Sequence, residues 1–209
     1  MARRVRHHVN PMTFLHLTSD AQPLAIPDHM PVDVDLGSGE GEFLLSYGAQ
    51  RANRFVVGIE IRRALVNQTN ERAIQSGIQD HVVALYANLN HDLPLILPEG
   101  RADSVWMQFP DPWFKRRHQK RRALANRLGE TVFHLLQPGG WFFFQSDVFE
   151  LALEAMADME AHPVFRNDRG PWTFLRHNPL PVPTRRERYC LEKRIRIWRL
   201  SYHRIDGPS

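Results

Sequence analysis

Apolar residues in this chain fall into two rhythms: short unbroken runs, and longer stretches in which they recur at every third or fourth position. The first rhythm marks strands buried on both faces, the second helices with one apolar side. Taken in order, Val32–Leu36 predicts a strand, residues 42–50 a helix, 55–59 a second strand and 62–76 a helix stopped at Gly77. Val82–Tyr86 and residues 103–109 read as the third and fourth strands. Within residues 123–137, Leu124, Leu128, Val132 and Leu135 keep helical spacing up to the stop Pro138-Gly139-Gly140. Residues 141–145 follow as a fifth strand and 148–161 as an amphipathic helix. Ile195, Ile197 and Trp198 to Tyr202 read as a closing ribbon, and Pro-rich 178–184 as an ordered connection. Strands alternating with helices predict an α/β fold: a doubly wound, mainly parallel sheet with helices on both faces, in a single domain.

Composition narrows the class. Of 209 residues, 43% are hydrophobic, enough to build a core and too many for a disordered chain. The single cysteine, Cys190, excludes a disulfide scaffold and a cysteine-based zinc site, and reads as a half-buried filler between Tyr189 and Leu191. The eleven histidines show no metal-ligand spacing, so no metal is expected. His118 reads as a phosphate or solvent contact. No run approaches the ~20 apolar residues of a membrane span, and no apolar run follows the basic N-terminus. A soluble cytoplasmic protein with no membrane association is the expectation.

Charge changes the picture more. Residues 115–122 carry six Lys/Arg and no acid, residues 184–199 carry seven, and the first eight residues add three arginines. These segments hold 16 of the 27 basic residues and two of the 23 acids, so the rest of the chain is acidic. Such polarity suits capture of a polyanion by a local basic surface, and indicates nucleic acid. Residues 1–20 read as a basic N-terminal arm.

Candidate chemistry sits in two loops. Asp35-Leu36-Gly37-Ser38-Gly39-Glu40-Gly41 follows the first strand, where open α/β sheets bind ligands. A dinucleotide fingerprint requires glycine at position 42; Glu42 stands there, and the third glycine comes early, at Gly41. The carboxylates of Asp35 and Glu40 would repel phosphates and suit a cationic ligand such as S-adenosylmethionine. Glu60, ending the second strand, can accept two ribose hydroxyls, and Asn88, after the third, an adenine edge. The second loop, Phe109-Pro110-Asp111-Pro112-Trp113-Phe114-Lys115, follows the fourth strand. Its prolines restrict the backbone around Asp111. Trp113 offers a stacking face, and Lys115, Arg116, Arg117, Lys120 and Arg121 offer phosphate contacts.

With these residues the chain resembles the bacterial tRNA (guanine-N7-)-methyltransferase family over nearly its whole length. The matching residues are Asp35–Gly41, Gly58-Ile59-Glu60, Phe109-Pro110-Asp111-Pro112-Trp113 with Lys115 and the basic run, Ser146-Asp147, and Thr184 with Glu187. The resemblance implies a Rossmann-like seven-stranded sheet with an antiparallel C-terminal strand, S-adenosylmethionine as cofactor, tRNA as partner and no obligatory protein partner. It further implies methylation at N7 of a guanine in the tRNA variable loop. Asp35, Glu60, Asn88 and Asp111, with Gly37, Gly39 and Gly41, would then hold the cofactor. Asp111 would bind and help methylate the guanine, while Lys115, Asp147, Thr184, Arg185, Arg186 and Glu187 would hold the substrate. The chain departs from the family at Asp35 (commonly glutamate), Asn88 (commonly aspartate) and Arg186 (commonly aromatic). The alternatives are an amino methyltransferase acting on adenine or cytosine, whose motif needs a second proline where Trp113 stands, and an inactive RNA-binding protein of the same fold.

Overall fold

The structure is a computed structural model and describes residues 22–89, 92–111 and 128–205. Its strands are β1 (Val32–Leu36), β2 (Phe55–Glu60), β3 (Val82–Tyr86), β4 (Ala102–Gln108), β5 (Leu136–Ser146), β6 (Phe165–Asn167) and β7 (Trp198–Arg204). Its helices are α1 (Glu42–Ala49), α2 (Arg63–Gln75), α3 (Leu93–Ile96), α4 (Leu128–Leu135), α5 (Phe149–Ala161) and α6 (Arg185–Glu192). The seven strands form one sheet in the order β3-β2-β1-β4-β5-β7-β6. β1 to β5 run parallel, and β7 is antiparallel to both of its neighbours. The chain winds outward from β1 to β3, then returns to lay β4 on the other side of β1. The carboxyl ends of β1 and β4 therefore border the crevice where the winding reverses, the ligand position of open α/β sheets.

Burial explains the strand pattern. Every residue of β1 and β2 is buried, because helices cover both faces. One consequence is Asp33 in the middle of β1. Its carboxylate is fully buried and receives Arg54 Nε and Nη2 at 2.5 and 2.6 Å and the Tyr47 hydroxyl at 3.0 Å. A buried charge persists only with partners of this kind.

Two expectations need correction. Pro138-Gly139-Gly140 does not separate helix from strand. α4 ends at Leu135, β5 starts at once, and the segment bulges inside the pairing, between Ala102↔Leu136 and Ser104↔Trp141. Cys190 is fully buried rather than half-buried, and burial pushes its thiol pKa up. The structure also adds α3, β6 and α6, which the apolar pattern does not announce. Among the described residues, no helix is long and apolar enough to cross a membrane.

Candidate active site at the carboxyl edge of the sheet

The loop after β1 turns through three left-handed glycines, Gly37, Gly39 and Gly41, with φ of 82°, 59° and 69°. Side chains rarely adopt that conformation, so the turn depends on glycine. The space beside Gly37 is open, with no atom within 4 Å of where a Cβ would stand. Behind the loop there is no room: a Cβ on Gly58 of β2 would meet Ser38 Cβ at 2.8 Å and Leu44 Cδ2 at 2.7 Å. Gly37 and Ser38 N–H groups both donate to Ile59 O, at 2.9 and 3.0 Å. The loop is therefore fastened to β2 and open toward the crevice.

Three acids and an amide border that opening. Asp35 is buried, and its pKa rises from 3.8 to about 7. Desolvation is the main cause; the Gln108 amide pulls the value down, and the Glu60 charge pushes it up. Glu60, at the end of β2, accepts Gly39 N–H at 2.9 Å, Arg62 N–H at 2.9 Å and the Arg62 guanidinium at 2.8 and 3.0 Å. Glu40 faces outward to Arg185, at 2.7 and 3.2 Å. Asn88 is buried beyond β3, its backbone N–H donating to Asp92 Oδ2 at 2.6 Å.

Across the crevice, β4 ends at Gln108, and Phe109 takes a positive φ of 50° while its N–H donates to Gln145 O at 2.7 Å. A left-handed non-glycine residue costs on the order of 1–3 kcal/mol and is typical of functional turns. It re-aims the chain into Pro110 and the exposed Asp111. Asp147, just past β5, pairs with Arg186 Nη2 at 2.5 Å. Pro112, Trp113, Lys115, Arg116, Arg117, Lys120 and Arg121 lie outside the described residues.

The segment 184–187 is divided between surface and interior: Arg185 and Arg186 are exposed, whereas Glu187 is buried. Thr184 Oγ1 accepts the Glu187 N–H at 3.0 Å and so caps α6. Glu187 is only 2% exposed. Its carboxylate receives Arg199 at 2.8 Å, Gln145 at 3.1 Å and Asn178 at 2.6 Å. The resemblance implies a substrate contact here; the structure puts the Glu187 carboxylate inside the protein. Arg199, counted in the basic cluster, is buried with it. Arg185, Arg186 and Arg188 pair with Glu40, Asp147 and Glu42. Three of the seven basic residues are thus paired with these acids, while Lys193, Arg194 and Arg196 stay exposed. Sequence reasoning missed Arg62, Gln108, Gln145 and Arg199; the one visible signal was a glutamine closing each of two apolar strands.

The site fits an adenosyl cofactor. Open space beside a glycine turn, a buried carboxylate on Glu60 and acidic walls without a phosphate cradle match a cationic, phosphate-free ligand. Comparison with known proteins agrees. The family model described as "Putative methyltransferase" matches residues 29–200. Among solved structures, geranyl diphosphate C-methyltransferase from Streptomyces coelicolor A3(2), in complex with S-adenosyl-L-homocysteine, superposes with a TM-score of 0.57 at 16% identity, covering 85% of this chain and 77% of that one. A SAM-dependent methyltransferase from Aquifex aeolicus gives 0.57 at 14% identity, covering 85% of each chain. At such identity these share the fold alone. The sequence relatives are nearer. A tRNA (guanine-N(7)-)-methyltransferase of Synechococcus sp. (strain CC9902) is 38% identical, covering 96% of this chain and 88% of its own length. Another, of Thermosynechococcus vestitus (strain NIES-2133 / IAM M-273 / BP-1), is 37% identical, covering 98% and 96%. With near-complete coverage in both directions, and the glycine turn and Phe-Pro-Asp turn facing one crevice, the chain belongs to the bacterial tRNA (guanine-N7-)-methyltransferase family.

Proposed function

We propose that this protein transfers the methyl group of S-adenosylmethionine to N7 of a guanine in the variable loop of tRNA. The observation that carries the reading is the placement of the two loops. β1 and β4 are hydrogen-bonded neighbours, with Asp35 opposite Trp106 and Leu36 opposite Met107, so their loops open into the same crevice. Asp35, Gly37, Gly39, Gly41, Glu60 and Asn88 then line the cofactor half, and Asp111 and Asp147 the substrate half. One sheet from residue 32 to residue 204 supports a single methyltransferase domain.

When bound, the cofactor supplies an electrophilic methyl group on a sulfonium. Guanine N7 carries an in-plane lone pair and no proton, so its attack needs no general base. The protein's task is alignment, which lowers barriers by about 7–11 kcal/mol in favourable cases. The left-handed turn at Phe109 and the following Pro110 fix where Asp111 stands. Its carboxylate accepts from the guanine N1–H and 2-amino group and stabilises the positive charge the ring gains. Glu60 exchanges its Arg62 donors for the ribose hydroxyls, and Asp35 attracts the cofactor's ammonium group. Asp147, held by Arg186, faces the substrate from β5. The buried Glu187 and the cap Thr184 support this reading by fixing α6, which presents Arg185 and Arg186 at the rim.

The test is incubation with S-adenosylmethionine labelled in the methyl group and unmodified tRNA, followed by reduction and aniline cleavage. Cleavage at a single variable-loop guanine is expected. Label incorporated without cleavage would transfer the assignment to an exocyclic amine.

A further inference from the structure

We propose that Arg196, stacked on Trp198 and backed by Phe149 and Phe174, is a platform for an unpaired RNA base next to the guanine being methylated. The proposal rests on the reading above, because it gives the same RNA a second hold beside the crevice.

Three separate segments assemble the platform. Trp198 opens β7 in register with Ser146, the last residue of β5, and so stands beside the strand end that carries Asp147. Phe149 begins α5, and Phe174 lies in the connection after β6. The ring centres of Phe149 and Phe174 are 4.6 and 4.9 Å from that of Trp198, with planes tilted by 48° and 54°. Leu175 N–H donates to Arg199 O at 2.8 Å, and Arg199 Nη1 donates to Arg176 O at 3.3 Å, which fastens the Phe174 segment to β7. On this base lies Arg196, its Cζ 3.7 Å from the Trp198 ring centre. Phe149 is 41% exposed, Phe174 and Trp198 are half-buried, and Arg196 is exposed. A guanidinium at that distance from an indole is held by cation–π attraction, and bases stack on guanidinium planes as they do on aromatic rings.

The surrounding charge names the ligand. Among the described residues, Arg176, Arg194 and Arg196 have no ion-pair partner, and Lys193 meets only the exposed Glu192, at 3.3 Å. Of the nearby acids, Glu150 and Glu154 lie round α5 from Phe149, away from its buried stripe. A polyanion that also offers flat rings is an unpaired stretch of nucleic acid. A second copy of this chain fits less well, since a two-fold contact would set the same arginines against themselves.

Arg194 adds an independent observation. α6 ends in a Schellman turn, in which Ile195 N–H donates to Cys190 O at 2.8 Å and Arg194 N–H to Leu191 O at 3.2 Å. The left-handed position of that turn favours glycine, yet Arg194 takes it, with φ of 54°. An arginine there strains the backbone where glycine would not. A cation kept two residues from Arg196 for the phosphates of the stacked strand accounts for it.

The test is filter binding of unmodified tRNA to Arg196→Ala, Arg196→Lys and Phe149→Ala. It is repeated with tRNAs in which the nucleotides flanking the variable-loop guanine are made abasic one at a time. Arg196→Lys keeps the charge and loses the plane, and is expected to weaken binding about tenfold, nearly as much as Arg196→Ala. Phe149→Ala moves affinity in the same direction by less. One abasic tRNA is expected to bind the parent protein about tenfold more weakly and to lose nothing further with Arg196→Lys. S-Adenosylhomocysteine binding and the melting temperature of both Arg196 variants stay unchanged. Full affinity of Arg196→Lys would reduce Arg196 to a phosphate contact and overturn the platform, as would losses that multiply with every abasic tRNA. A dimer in sedimentation that Phe149→Ala dissolves would give this face to a second copy instead. A parent protein that neither binds nor methylates tRNA would overturn the functional reading. Retention of a short uridine oligonucleotide, which Arg196→Lys should still weaken, then judges the platform alone.

Discussion

Arg62 lies across Glu60, with Nε 2.8 Å from Oε1 and Nη2 3.0 Å from Oε2. The guanidinium occupies the acceptors proposed for the ribose hydroxyls and places a cation beside the site proposed for a cationic cofactor. Arg62→Ala should therefore tighten S-adenosylmethionine binding by about fivefold, the equivalent of roughly 1 kcal/mol of removed competition. The gain should exceed that for S-adenosylhomocysteine, which lacks the sulfonium charge. Calorimetry with both ligands checks this; weaker binding of both would mean that Arg62 helps to hold the cofactor.

Glu60→Ala removes the acceptors proposed for the ribose. Loss of two hydrogen bonds to a charged acceptor predicts a weakening of cofactor binding by at least about 100-fold. Affinity for tRNA, measured by filter binding without cofactor, should be unaffected.

Asp111→Ala should lower single-turnover methylation by about 10²–10³-fold while tRNA binding persists, the size seen when one oriented group that stabilises transition-state charge is removed. Asp111→Asn, which keeps the shape and loses the charge, should retain little activity if charge stabilisation dominates. Near-normal turnover by the alanine variant would remove Asp111 from the mechanism.

The raised pKa of Asp35, from 3.8 to about 7, has a definite sign in stability. Between those values the folded protein holds a proton that the unfolded chain has lost. The contribution of Asp35 to stability is thus greatest at low pH and falls by about 1.4 kcal/mol per unit until pH reaches about 7. Thermal melts of the protein without ligand should show this slope from pH 5 to 7, and Asp35→Asn should flatten it. Identical slopes would contradict the assignment.

Neutralising Arg116, Lys120 and Arg121, which lie outside the described residues, should weaken tRNA binding. It should also flatten the logarithmic salt dependence by about one unit for each phosphate that no longer meets a cation. An unchanged slope would mean that this run does not touch the phosphates.

Most of the fold was legible because apolar runs such as those of β2, β3 and Trp141 to Phe144 in β5 alternate with stretches of helical spacing. β1 and β3 have the bounds their runs predict. The cofactor loop was legible because glycine spacing maps directly onto backbone handedness. What escaped reading was held by side chains far apart in sequence. Thr184 and Glu187 have the spacing of a helix capping box, and the cap forms, but Glu187 turns inward to Arg199 instead of back to its own helix. Six of the seven basic residues of 184–199 are exposed, as read; nothing local shows that Arg185, Arg186 and Arg188 pair with Glu40, Asp147 and Glu42, or that Arg199 is buried against Glu187. Gln108 and Gln145 look like strand ends until the sheet sets them side by side.

Gly58 gives the crevice a fixed gauge. The glycine loop rests on a strand that has no room for even one carbon, so the proposed adenosyl side is set by backbone packing. On the proposed reading, what distinguishes one RNA from another falls to the substrate half of the crevice. Exchange of that half between relatives is a route to new targets that leaves the methyl-donor side untouched.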